Sequence, residues 1–162
     1  MDNIKLYEIS PAYVDYLAPH APHLFRNKQV GQRNERKYIG IVLTVGDMDY
    51  FAPLSSFKDK HRRLKEGLDL IKVKHYAVIN LNNMFPVPTG QYSYVDISQE
   101  RDAKYQSLLQ AEYRYIKSIQ ERIRKNAANL YRLKLSGTKS PLTKRCNDFA
   151  ALEILCKAYH AK

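Results

Sequence analysis

Tyr38-Ile-Gly-Ile-Val-Leu-Thr-Val45 is the stretch that most limits the architecture open to this chain. Nearly every position is apolar, so a strand here has to be covered on both faces and lie at the centre of a sheet. Gly46-Asp47 is a turn signal and Met48 to Leu54 returns, which predicts a hairpin. The returning strand is expected to end at Pro53 and to deliver a polar, basic loop. That loop carries Ser55, Ser56, Lys58, Lys60, His61, Arg62, Arg63 and Lys65. Strand ends are where rigid scaffolds tend to present functional groups, although an ordinary hydroxyl-rich turn reads the same way.

The flanking segments complete an α+β pattern. Ile4 to Ile9 alternates as a strand, and Ser10-Pro11 supplies an N-cap and first-turn proline for a helix to about Leu17. Tyr13 on that helix either covers the sheet or lies towards a surface. Residues 18–37 show little periodicity and hold Arg26, Lys28, Arg33, Arg36 and Lys37, a phosphate-contacting loop or a solvated rim. Leu68 to Val73 and Tyr76 to Leu81 read as strands, Pro86-Val-Pro88 as punctuation, and Tyr92 to Ile97 as a last strand. From Arg101 the apolar period becomes helical to about Leu135, as one helix or two with Asn126 to Asn129 the weakest place. Tyr113 and Tyr115 lie roughly 200° apart on that wheel, so at least one leaves the core face. Asn147-Asp148 caps a final helix. Strands followed by helices, without alternating βαβ units, predict one α+β domain over residues 1–162.

Charge narrows the partner. With 27 Lys and Arg against 16 Asp and Glu the net charge is +11, which favours a polyanion, nucleic acid or an anionic membrane surface. No apolar run approaches the roughly 18 residues of a spanning helix, and Met-Asp-Asn-Ile-Lys is no signal peptide. A cytoplasmic protein is therefore expected, with Cys146 and Cys156 as reduced, packed thiols. Thirteen tyrosines suit either base stacking or strand packing.

Several chemistries lack their motifs. There is no GxxxxGK, GxGxxG, GxSxG or HExxH, and His20 and His23 have no further ligands nearby. Any catalysis is expected to use no metal and no cofactor. RNA offers such a reaction, because its 2′-hydroxyl can attack the adjacent phosphate once the protein orients it, neutralises charge and moves two protons.

Leu6-Tyr-Glu-Ile-Ser10 with Tyr13, Tyr38 to Leu43, Tyr50-Phe-Ala-Pro-Leu-Ser-Ser56 with Lys58 and His61, Ile79-Asn-Leu81 into Met84-Phe-Pro86, Tyr105 and Leu109 to Ile116, and Cys146 to Leu152 form an ordered set. Together they resemble the ToxN/AbiQ family of endoribonuclease toxins from type III toxin–antitoxin systems, with the CptN branch nearest. The resemblance implies a compact MazF/Kid-like twisted antiparallel sheet or barrel elaborated with helices. It also implies metal-independent RNA cleavage, often at adenine-rich sites, and processing of a repetitive antitoxin transcript. The pseudoknotted RNA antitoxin then inhibits the toxin in a closed protein–RNA assembly, and release during phage infection arrests growth.

The family's hydroxyl-hydroxyl-x-lysine motif falls on Ser55, Ser56 and Lys58, with Phe57 where proline is expected. Arg36 stands at a position where the family has a basic residue, and its very high pKa favours phosphate clamping over proton donation. On this resemblance Ser56 contacts the phosphate or relays a proton, Lys58 stabilises the transition state and donates a proton, and Ser55, Arg36, Lys37 and Tyr13 orient the nucleotide. His61 is either an acid/base or a hydrogen-bonding loop histidine. Lys60, Arg62, Arg63, Tyr113, Tyr115, Arg26 and Lys28 are expected along the RNA, with core packing the alternative for the two tyrosines. The rivals are a non-catalytic RNA-binding module, a DNA-binding regulator, for which no recognition helix is evident, and a gyrase poison, which has no need of so much positive charge.

Overall fold

A computed structural model of the chain describes residues 2–24 and 36–160. Among the described residues seven strands form an antiparallel sheet: β1 (Lys5–Ile9), β2 (Tyr38–Val45), β3 (Met48–Ser56), β4 (Leu70–Val73), β5 (Ala77–Asn80), β6 (Phe85–Val87) and β7 (Tyr92–Tyr94). Their order is β4-β5-β3-β2-β1-β7, with β6 also on β3. The helices are α1 (Pro11–Leu17), α2 (Asp59–Arg63), α3 (Ala103–Ser118), α4 (Gln120–Leu135), α5 (Pro141–Lys144) and α6 (Phe149–Ala158).

The apolarity of β2 has the expected cause. It pairs with β1 through Leu6↔Ile39 and with β3 through Ile39↔Ala52, and successive side chains enter different cores. Tyr38 joins Phe51, Phe85 and the inward residues of α1, with Leu152 of α6. Ile39 joins Ala52 and the buried stripe Leu109, Ile116, Ile123, Ala127 and Leu130 of α3 and α4. Gly40 lies opposite Phe51, where a Cβ would run into the phenyl ring. That ring is wedged edge-on against Tyr7 at 5.1 Å.

Four departures from the expected pattern are instructive. β3 does not end at Pro53. It runs to Ser56, because β5 takes over the pairing from Leu54 onwards and the Leu54 N–H donates to the Lys37 carbonyl at 3.0 Å. Pro86 sits inside β6, opposite Tyr50. β7 stops at Tyr94, and Ile97–Gln99 is a 3₁₀ turn capped by Asp96. The long helical segment breaks at Ile119 rather than at Asn126 to Asn129, which stay helical because buried Ala127 and Leu130 anchor that turn. At the break, the Gln120 side chain accepts from the Ile4 N–H at 2.9 Å and donates to Asn3 at 3.0 Å, tying the helices to the start of the sheet.

The expected cap of α6 is present, whereas Ser10 makes no side-chain hydrogen bond to the first turn of α1 and Pro11 opens that helix. Asp102 accepts from the N–H groups of Lys104 and Tyr105 to start α3, and Asp148 accepts from Ala151 to start α6. Ser140-Pro141 opens the single turn of α5, with the Ser140 side chain accepting from the Thr143 N–H. Cys146 precedes α6 and Cys156 lies within it, and both are buried free thiols. Among the described residues no helix is long and apolar enough to cross a membrane.

Candidate active site

A cleft of about 530 Å³ opens between the end of β3 and the α3 helix. Leu54, Ser55 and Ser56 come from β3, and Arg36 and Lys37 from the segment entering β2. The turn into α2 adds Lys58, Lys60 and His61, and the β5 strand adds Asn80. The α3 wall is Tyr105, Leu108 and Glu112, spaced so that all three share one side of the helix.

Each serine is held differently. The Ser55 Oγ accepts from Asn80 Nδ2 at 2.9 Å, so its own proton is left to donate. Ser56, the last residue of β3, is exposed. Lys58 is the N-cap of α2, where its N–H donates to His61 Nδ1 at 2.8 Å and its carbonyl accepts from the His61 N–H at 2.8 Å. This double tie fixes the backbone from which the exposed Lys58 ammonium projects. Arg36 donates through Nη1 to the Leu54 carbonyl at 3.3 Å. Lys37 Nζ sits 3.2 Å from Glu8 Oε2 and 5.8 Å from the centre of the Tyr105 ring.

Burial, followed by the charges of Lys60, Lys58 and Lys72, lowers the His61 pKa, so the imidazole is neutral at neutral pH with Nδ1 already engaged. Burial pushes the Glu112 carboxyl up to about 7. Burial, reinforced by Glu112, Glu100 and Glu8, pushes the Tyr105 phenol up to about 12, which keeps it a neutral donor. Burial also lowers the Arg36 pKa, and the guanidinium keeps its charge. Cationic side chains and hydroxyl donors around one cleft suit an anionic group whose charge grows during reaction.

Residues 5–157 match the family described as Toxin ToxN, type III toxin–antitoxin system. The chain belongs to the ToxN family. It is 30% identical to Endoribonuclease ToxN of Bacillus thuringiensis subsp. kurstaki, over 98% of this chain and 85% of that protein. It is 24% identical to Endoribonuclease AbiQ of Lactococcus lactis subsp. lactis, over 98% of this chain and 91% of that protein. A structure from work on selective toxin inhibition by a non-coding RNA pseudoknot in type III systems superposes with a TM-score of 0.85 at 27% identity, covering 99% of this chain and 100% of that one. The lactococcal AbiQ structure gives a TM-score of 0.86 at 22% identity over 98% of each chain, a likeness of fold. The α+β arrangement of antiparallel sheet and covering helices is thus a ToxN-family fold.

Within this ToxN-family fold the expected residues separate into groups. Ser55, Ser56, Lys58, Arg36, Lys37, Lys60 and His61 share the cleft. Tyr13 does not. It is fully buried between α1 and the sheet, its hydroxyl donates to the Pro86 carbonyl at 2.6 Å, and an aromatic cluster with Tyr16 and Tyr159 surrounds it. Apolar packing of α1 on the sheet decides its position. His61 is buried in the first turn of α2 rather than in a loop, and it makes the hydrogen bond expected of it, from the Lys58 N–H. Arg62 and Arg63 are exposed on α2, away from the cleft lining, with Arg62 3.4 Å from Asp59. Tyr113 and Tyr115 are half-buried outside that lining, and Tyr115 packs on the core beneath the Lys74 ammonium. Arg26 and Lys28 lie outside the described residues.

Asn80, Tyr105, Leu108 and Glu112 join the cleft without having been expected there. Glu112 had a readable signal. It interrupts the apolar stripe between Leu109 and Ile116, where a charged residue is otherwise unwelcome. Among the described residues no three His, Cys, Asp or Glu side chains gather as a metal-ligand set.

Proposed function

We propose that this cleft cleaves RNA by attack of a 2′-hydroxyl on the adjacent phosphate, leaving a 2′,3′-cyclic phosphate and a 5′-hydroxyl, without a metal ion. The chain is then the endoribonuclease toxin of a type III system in the cytoplasm. It prefers particular sequences, processes a repetitive transcript, and is inhibited by the resulting pseudoknotted RNA in a closed assembly. Phage infection frees it to arrest growth. The observation that carries this reading is the convergence of Ser55, Ser56, Lys58 and Arg36 on one cleft in a chain whose relatives are named endoribonucleases.

In this reading Ser56 contacts the reacting phosphate, and Lys58 stabilises the phosphorane and protonates the leaving oxygen. Arg36, Lys37 and Ser55 orient the nucleotide, Arg36 as a clamp. The RNA runs on past Lys60, Arg62 and Arg63 towards Tyr113 and Tyr115. A MazF/Kid-type barrel relationship belongs to the same proposal, supported by the way β3 serves β2, β5 and β6 at once.

Ser56→Ala and Lys58→Ala, purified and checked for folding by circular dichroism, test the assignment. Each is expected to lose RNA cleavage and growth inhibition. Cleavage at the wild-type rate by both variants would overturn the site. RNA binding without cleavage by the wild-type chain would favour a non-catalytic RNA-binding module.

A further inference from the structure

A transesterification of this kind needs an acceptor for the 2′-hydroxyl proton as well as cations for the phosphate. Arg36, Lys37, Lys58 and Lys60 are cations, and the Nδ1 of His61 already accepts from the Lys58 N–H. Among the described residues lining the cleft, Glu112 is the one carboxyl.

Its placement has no packing explanation. Glu112 is 5% exposed and stands in the inward stripe of α3 between the buried Leu109 and Ile116. It follows Tyr105 by two helical turns on the cleft side. An aliphatic residue there would extend the core. A carboxyl instead brings a desolvation cost that no hydrophobic contact offsets. The charged and titratable groups that share its cleft are Arg36, Lys37, Lys58, Lys60, His61 and Tyr105, and Glu112 is the first of the charges that raise the Tyr105 phenol.

We infer that Glu112 is the general base of the cleft. Its carboxylate takes the 2′-hydroxyl proton as the 2′-oxygen bonds to phosphorus, while the bond from phosphorus to the 5′-oxygen breaks and that oxygen takes a proton from Lys58. The role rests on the ribonuclease reading above and adds the group that starts the reaction. A carboxyl pushed up to about 7 by burial is partly ionised at neutral pH, the range in which a general base works best.

The test uses the full chain, with total bacterial RNA to map a cleavage site and an oligonucleotide carrying that site for kinetics. Glu112→Gln is expected to lower kcat about 100-fold or more. A substrate with sulfur at the bridging 5′ position, whose thiolate leaves without a proton, is expected to stay equally slow with this variant. The wild-type rate is expected to fall as pH drops below about 7, the Glu112 value, and that limb is expected to vanish in Glu112→Gln. Glu112→Gly is expected to regain activity with added formate. Wild-type kcat in Glu112→Gln, rescue of that variant by the sulfur substrate, or a wild-type profile without the acid limb would each overturn the role. The profile needs no variant to fold. Wild-type protein that leaves no cyclic-phosphate ends would instead fail the ribonuclease reading itself.

Discussion

Asn80 Nδ2 donates to Ser55 Oγ at 2.9 Å across the seam between β5 and β3. The bond fills an acceptor site on the hydroxyl and aims its proton away from the amide. Ser55 therefore donates into the cleft, which suits a phosphate oxygen. Asn80→Ala and Ser55→Ala are each expected to slow cleavage, and the double variant to be less impaired than the product of the two. A coupling of about 1 kcal/mol in the double-mutant cycle is expected. Strict additivity would show that the contact does not serve the reaction.

The His61–Lys58 tie predicts a positional effect. His61→Ala is expected to lower kcat by loosening the turn that carries Lys58, and to lower the melting temperature. Because the folded pKa of His61 is depressed, the unfolded chain takes up its proton first. The stability that His61 brings is therefore present above the ordinary imidazole range and is lost as pH falls below it. The stability gap between wild type and His61→Ala should shrink from pH 7 to pH 5, and a gap that widens on acidification would contradict the assignment.

Glu112 carries the opposite sign. Its folded pKa lies near 7, above the usual carboxylate range, so the folded chain holds the proton longer. Its protonated form costs nothing below the unfolded value, and ionisation destabilises the fold as pH rises through about 7. Glu112→Gln is expected to gain up to about 3 kcal/mol relative to wild type between pH 5 and pH 8, from the size of that shift. Urea unfolding at the two pH values measures this. An unchanged difference would show that the carboxyl is not buried as described.

Tyr13 separates a core role from a site role. Removing its hydroxyl leaves the buried Pro86 carbonyl without that donor, so Tyr13→Phe is expected to cost about 1–3 kcal/mol of stability. Cleavage well below the melting temperature should be unaffected. A large loss of kcat in a stable Tyr13→Phe protein would return this tyrosine to the nucleotide.

The parts of the fold legible in the sequence are those with local causes. The β2–β3 hairpin follows from an apolar run and a turn dipeptide, α1 from Ser10-Pro11, and α6 from Asp148. The parts that were hidden depend on distant partners. β3 outlasts Pro53 because β5 arrives from later in the chain, Pro86 becomes strand because Tyr50 lies opposite, and α3 breaks at Ile119 where Gln120 meets Asn3 and Ile4. The site divides in the same way. Ser55, Ser56 and Lys58 are neighbours in sequence and stay neighbours in space. Asn80 and Glu112 reach them only through the β3–β5 pairing and the packing of α3.

The chemistry of the cut ends tests the central claim most directly. RNA incubated with the purified chain in excess EDTA, then sequenced after ligation selective for 2′,3′-cyclic phosphates, is expected to yield cyclic-phosphate 3′ ends paired with 5′-hydroxyl ends at recurring sites. These ends are expected to be absent with Lys58→Ala. Cleavage that stops in EDTA, or that leaves 5′-phosphates, would contradict metal-free attack by the 2′-hydroxyl in this cleft.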